Sequence, residues 1–167
     1  MFNYRVKFYG QAAHAGTFPM TKRKDAFYAA SQALCYIHDE VDKLGVPELV
    51  YTTGEVVCHP CVHTVIPDFF DFSIDARHED PKALEKVLSI VKSCEEKEWA
   101  GCKCVVEKAW NRDTVYWDKK LVGYVKEAAE EAEIKHQYIH SGAGHDAQFA
   151  AYMLPTTMIF VQSKDGL

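Results

Sequence analysis

The sequence predicts an α+β fold: a βαββαβ unit in which a four-stranded antiparallel sheet carries two helices on one face, followed by a C-terminal α/β fragment. Three observations predict it. Apolar residues alternate with polar ones near the start of the chain and again around residue 74, the period of a half-buried strand. Two other segments place apolar residues three and four apart, the period of a helix with one buried stripe. The order strand-helix-strand-strand-helix-strand lets both helices return over the same side of one antiparallel sheet.

Each element follows in turn. Phe2, Tyr4, Val6 and Phe8 alternate with Asn3, Arg5 and Lys7, so the first strand has one wet face. The turn-like stretch GQAAHAGTFPM follows. From about Lys24 to Leu44, Phe27, Ala30, Leu34, Ile37, Val41 and Leu44 mark a helix that Gly45 and Pro47 stop. Leu49 to Cys58 is β-rich, with Gly54 as a bulge or bend. After the loop HPCVHT, Phe70, Phe72, Ile74 and Ala76 alternate with Asp71, Ser73, Asp75 and Arg77. Asp80 caps a second helix with Pro81 at its first position, and Leu84, Val87, Leu88 and Val91 form its apolar side. A fourth strand runs from about Lys103 to Trp110, and Asn111-Arg112-Asp113 is a boundary, giving domains 1–112 and 113–167. The second part reads helix-strand-helix-strand. Its first helix spans about Asp118 to Glu133, with Leu121, Val122, Val125, Ala128, Ala129 and Ala132 on one side. Its last strand spans Thr156 to Val161. Such a half-sheet is too short to enclose a core of its own.

Composition narrows the function. The 167 residues are 48% hydrophobic and 26% charged, which describes a globular chain able to bury a core. A formal net charge of −5 argues against nucleic acid and against an anionic membrane as partner. No apolar run is long enough to span a bilayer, and the opening residues lack the apolar core of a signal peptide. A cytoplasmic location is the expectation, and the six cysteines then read as thiols or ligands rather than disulfides.

Several residues could carry chemistry. His14 lies between small residues in AAHAG, where a ligand can approach the imidazole, although a surface loop histidine has the same appearance. Arg77 ends a strand in DARHED, either as an ion pair with Asp75 or Glu79 or as a bidentate clamp for a carboxylate. His145 follows Gly142 and Gly144 at a helix start, with Asp146 in the first turn, as a helix cap or as a ligand-facing group. Cys58-His59-Pro60-Cys61-Val62-His63 contains a zinc half-site, and Cys102-Lys103-Cys104 is the candidate second pair for a structural zinc. In that case the chain is a non-catalytic α+β binding or assembly module.

Three stretches change the balance: GQAAHAGTFPMTKRKDAFYAA, GEVVCHPCVHTVIPDFFDFSIDARHED and SGAGHDAQFAAYMLPTTMIFVQSKDGL. In this order they resemble the amidohydrolase branch of the co-catalytic zinc peptidase and aminoacylase family. Within it they are most similar to N-carbamoyl-L-amino acid hydrolases, allantoate amidohydrolases and β-ureidopropionases. The resemblance implies that residues 1 to about 112 form a lid, or dimerisation, domain and that the rest belongs to a zinc-binding catalytic domain. Zinc or manganese would belong to the full-length parent, with ligands before the lid and a histidine beyond Gly166-Leu167. The chain then reads as a fragment, inactive by itself. The resemblance further implies that His14 reaches into the partner subunit's site and polarises the scissile carbonyl. Arg77 would hold the substrate carboxylate, and His145 would contact substrate with backbone help from Gly144. Thr64 stands where the family has a substrate-binding asparagine, and its shorter side chain without an amide donor points to a changed substrate or a lost contact.

The assembly expectation is a twofold homodimer. In a βαββαβ sheet the strand Leu49–Cys58 lies at an edge, contains no lysine or proline, and is open to pairing with a second copy. The preceding helix, with Phe27, Tyr28, Tyr36 and Ile37, would cover the join.

Overall fold

In the computed structural model, which describes residues 1–164, the alternating opening stretch becomes strand β1 (Phe2–Tyr9), an inner strand paired on both sides. A short strand β2 (Ala13–His14) leads to helix α1 (Ala26–Lys43). Then come β3 (Val50–Thr52), β4 (Val56–His59), β5 (Val65–Ile66) and β6 (Phe69–Arg77). Helix α2 (Pro81–Ser93) and strand β7 (Lys103–Asn111) complete the first of two compact units, Met1–Asp113. The sheet order is β3-β6-β1-β7, with β4 also on β6, and the ladders are antiparallel. This is the α+β architecture expected, with the second-predicted strand at the edge.

Period-two burial explains the sheet. Val6, Phe8, Phe72, Ile74 and Ala76 are buried on one face, where α1 and α2 pack. Helix α1 contributes Ala26, Ala29, Ala30, Ala33, Ile37 and Val41, and its alanines let it lie close to the strands. The Asp25 side chain caps it by accepting hydrogen bonds from the backbone N–H groups of Phe27 and Tyr28 at 3.0 and 3.1 Å. Asp80 caps α2 in the same way, with Pro81 in its first turn. The helix-free face carries charge. Arg5 grips the buried Asp71 through Nε and Nη2 at 2.9 and 2.7 Å and also meets Glu55 at 2.5 Å, and Lys7 pairs with Glu107.

Two details differ from the sequence expectation. The run Leu49–Cys58 is interrupted, because Thr52 faces Asp75 while Val56 faces Phe72. Three residues thus oppose two across a bulge centred on Gly54, where the Ser73 N–H and Oγ bond the backbone of Glu55. The extra residue restores side-chain parity, so Tyr51 and Val56 both sit in helix-facing rows. The second difference is the small sheet of β2 and β5, formed by stretches that read as turn and loop.

The second unit begins at Thr114 and contains α3 (Lys119–Glu131), capped by Asp118, and α4 (Asp146–Ala151). The strands expected before GAGHDA and over Thr156–Val161 are not present as ladders among the described residues. An extended segment becomes a strand only against a paired neighbour, and here the Thr156 carbonyl instead accepts from the Asp118 N–H at 2.9 Å. No described residue from Thr114 onward is buried, so these residues enclose no core of their own. The end of the third motif, Asp165-Gly166-Leu167, lies outside the described residues. Among the described residues no helix is long and apolar enough to cross a membrane.

Candidate functional site

His14 sits on a strand pair whose root is tightly held. After β1 the chain turns at Gly10, whose N–H donates to the Asp68 carbonyl at 2.7 Å. A Cβ at this position would lie 2.1 Å from the Lys24 carbonyl oxygen, so no larger residue fits without moving backbone. Beyond the turn, Ala13 pairs with Ile66 and His14 with Val65, and the Ala15 N–H donates to the Thr64 carbonyl at 2.8 Å. The structure therefore brings His14 and Thr64 together, both exposed, at one end of the sheet.

The imidazole has a defined orientation. Its Nδ1 accepts a hydrogen bond from the Gly16 N–H at 3.0 Å, which assigns the proton of the neutral ring to Nε2. Nε2 is then a donor at the exposed side of the ring. Arg23 holds the loop from beneath. Its Nη2 donates to the carbonyls of Ala15 and Phe18 at 2.6 and 2.9 Å, and its Nε to Phe18 at 3.1 Å. Sequence reasoning assigned Arg23 no role. The available signal was the small-residue turn itself, whose carbonyls need donors once the chain leaves the ladder.

Arg77 lies at the far end of β6, opposite Val50, with Nε on the Asp75 carboxylate at 2.7 Å. Of the two sequence alternatives, the ion pair with Asp75 is present. Phe69 and Arg77 terminate the same nine-residue strand, so His14 and Arg77 of one unit are separated by the strand's length, roughly 25 Å. The unit does not bring them together.

In the second unit His145 precedes α4 and is half-buried. Its Nε2 shares a 2.6 Å hydrogen bond with Ser141 Oγ, and its ring meets Phe160 edge-on at 5.6 Å. The Gln148 side chain accepts from the His145 N–H at 3.3 Å, and Gly144 is exposed beside it. The imidazole is held at both edge and face, with a small residue next to it.

The structural zinc reading is corrected. Cys58 faces Phe70, Phe70 faces Phe8, and Phe8 faces Cys104, so Cys58 and Cys104 are three strands apart in one row, about 14 Å. Cys102 and Cys104 are also buried in the core, where burial raises both thiols and pushes Cys104 up to about 12. The two pairs cannot share an ion. Within either unit taken by itself, no three His, Cys, Asp or Glu ligand atoms of described residues converge on one point.

Residues 1–100 match the family model described as a peptidase dimerisation domain. The chain is 34% identical to the allantoate amidohydrolase of Escherichia coli (strain K12) over 169 residues, covering 98% of this chain and 40% of the relative. It is 31% identical to the N-carbamoyl-L-amino-acid amidohydrolase of Pseudomonas sp. (strain NS671) over 173 residues, again 98% of this chain and 40% of the relative. Among solved structures, a hydantoinase/carbamoylase family amidase from Burkholderia vietnamiensis superposes with a TM-score of 0.88 at 32% identity, covering 99% of this chain and 40% of that one. The chain thus spans about 40% of the length of these relatives. With its antiparallel sheet, two helices on one face and a pinned histidine loop, the chain belongs to the peptidase dimerisation domain family, and it is similar to part of the allantoate and N-carbamoyl-L-amino-acid amidohydrolases.

Proposed function

We propose that residues 1–112 act as the lid and dimerisation domain, and 113–167 as part of the catalytic domain, of a metal-dependent amidohydrolase that cleaves C–N bonds in linear ureido or amide acids. The metal ligands are supplied from outside these two units. The observation that carries the reading is the His14 loop: an exposed imidazole with Nδ1 satisfied and Nε2 poised as donor, held by Arg23 and by β5. A donor fixed in advance is what a developing oxyanion needs, because it costs no reorganisation during the reaction.

The other residues take complementary roles. Arg77 offers a guanidinium to the substrate carboxylate, and Asp75 holds its Nε end so that the fork has one orientation. His145, steadied by Ser141 and Phe160, contacts substrate beside the bare backbone of Gly144. Thr64, next to His14, offers a hydroxyl where an amide would reach further, so the substrate differs at that point or makes one contact fewer. The separation of His14 from Arg77 along β6 exceeds the length of an amino-acid substrate. That distance supports a twofold homodimer in which His14 serves the partner's site and Arg77 its own. The edge of β3 and β4 with α1 is the surface proposed for pairing. The stand-alone zinc module has less support, since its cysteine pairs lie toward opposite edges of the sheet.

Hybrid dimers test the proposal. In the assembled enzyme, a His14→Ala subunit paired with an Arg77→Ala subunit keeps one site with both groups intact. Mixing the two inactive variants should restore activity to one site per dimer. No restoration, with hybrid dimers demonstrated, would overturn the assignment of the two residues to different subunits.

A further inference from the structure

Cys58 and Cys61 remain as a pair once the zinc reading is removed. Cys58 is the third residue of β4 and half-buried, and Cys61 lies just beyond the strand and is exposed. The two thiols are three residues apart across this turn, and the Cys58 thiol is raised first by burial and then by the neighbouring Cys61. The intervening chain is held in a fold-back: the His59 carbonyl accepts from the Asp68 N–H at 3.1 Å, His59 Nδ1 meets Asp68 Oδ1 at 2.8 Å, and the Val62 carbonyl accepts from the Val65 N–H at 3.0 Å. The remaining cysteines differ. Cys35 is exposed and alone on α1, while Cys94, Cys102 and Cys104 are buried.

We propose that Cys58 and Cys61 form a thiol–disulfide exchange site for low-molecular-weight disulfides, and that closing the bridge stiffens the strand pair carrying His14. The exposed Cys61 thiolate attacks the small disulfide, forming a mixed disulfide and releasing one thiolate. Cys58 loses its proton to solvent and attacks the Cys61 sulfur, forming the Cys58–Cys61 bond and releasing the second thiolate. Two protein thiols are oxidised and one small disulfide is reduced to two thiols, so electrons and atoms balance. The coupling to His14 is structural. Cys61 opens the turn that delivers Thr64 and Val65, and these bond Ala15 and face His14. A covalent tie from that turn to the end of β4 restricts its opening. Burial keeps Cys94 and Cys104 protonated, each pushed up to about 12, so they do not compete. This inference is independent of the reaction proposed above.

The test uses the whole chain and glutathione disulfide at neutral pH. After free thiols are alkylated, trypsin releases residues 44–77 as one peptide that contains Cys58 and Cys61 and no other cysteine. The expected product is this peptide unalkylated and lighter by two hydrogen atoms, with Cys35 carrying a glutathione adduct. Cys61→Ser should abolish the bridge. Glutathione on both cysteines, two alkylated thiols, or a bridge between two chains would each overturn the site. Amide exchange at Ala15 should slow severalfold in the bridged chain and stay unchanged in Cys61→Ser treated in parallel. Equal exchange in bridged and reduced chains would overturn the coupling to His14.

Discussion

Arg23 shows how one side chain can set the position of another that it does not touch. Its guanidinium bonds the carbonyls on both sides of the His14–Phe18 turn. Lysine presents one ammonium and cannot reproduce that fork. Arg23→Lys should cost about 1 kcal/mol of stability through the lost hydrogen bonds and speed amide exchange at Gly16, whose N–H holds His14 Nδ1. Under the proposed function it should lower kcat more than it raises KM, because a displaced donor is missed most in the transition state. Unchanged exchange at Gly16 would remove Arg23 from this role. Gly10 is a simpler case. A methyl group there collides with backbone at Lys24 rather than with a flexible side chain. Gly10→Ala should destabilise the first unit by about 3 kcal/mol, which a thermal melt would show as a drop of about 10 °C or more. Neither residue was given a role from the sequence, since an arginine before a helix and a glycine after a strand are common. Their importance comes from carbonyls contributed by distant or turned chain.

The edge strands are the element on which the proposed assembly depends. Glu55 and His59 turn their carbonyls inward, to the N–H groups of Ser73 and Asp68. By two-residue alternation the N–H groups of Val56 and Cys58 face the free edge. Val50, Val56 and Val57 are 57%, 59% and 43% exposed there, with no lysine or proline to discourage a partner strand. Val56→Pro removes an outward donor while leaving the β4–β6 bonds intact. It should convert dimer to monomer in sedimentation at micromolar concentration with near-native circular dichroism. A variant that stays dimeric would place the interface elsewhere. Helix α1 is tied to this edge by Tyr51, whose hydroxyl donates to Asp42 Oδ1 at 2.7 Å. Burial, and next the hydrogen bond to Asp42, push the Tyr51 phenol up to about 12 from its ordinary 10.0. The fold favours the neutral phenol, so its contribution is intact below about pH 10 and is lost as pH rises toward 12. Melting temperature should fall across that window, and Tyr51→Phe should flatten the fall. An equal slope in both proteins would show that Tyr51 does not carry it.

Across the whole molecule, core formation is confined to Met1–Asp113, since no described residue from Thr114 onward is buried. Residues 1–113 expressed alone should therefore unfold cooperatively and keep the near-ultraviolet signal of Trp99, whose indole N–H is bound to the Cys94 carbonyl at 2.7 Å. The segment from Thr114, expressed alone, should show no cooperative transition. A non-cooperative first unit would contradict the core described. The sequence by itself determined the elements whose signal is local. Alternation made β1 and β6, three-and-four spacing with Asp25 and Asp80 as caps made α1 and α2, and Gly54 marked the interruption between β3 and β4. It also determined the family, because the His14, Arg77 and His145 motifs are short and contiguous. Only the tertiary structure decided what depends on pairing across distance. β2 and β5 exist because two loop-like stretches meet, while the expected strand over Thr156–Val161 found no ladder. Cys58 and Cys104 were separated because two strands, β6 and β1, intervene between them. His14 and Arg77, equally polar at strand ends in the sequence, were sent to opposite ends of the sheet because β1 and β6 run antiparallel, so each turn of the chain reverses which end it serves.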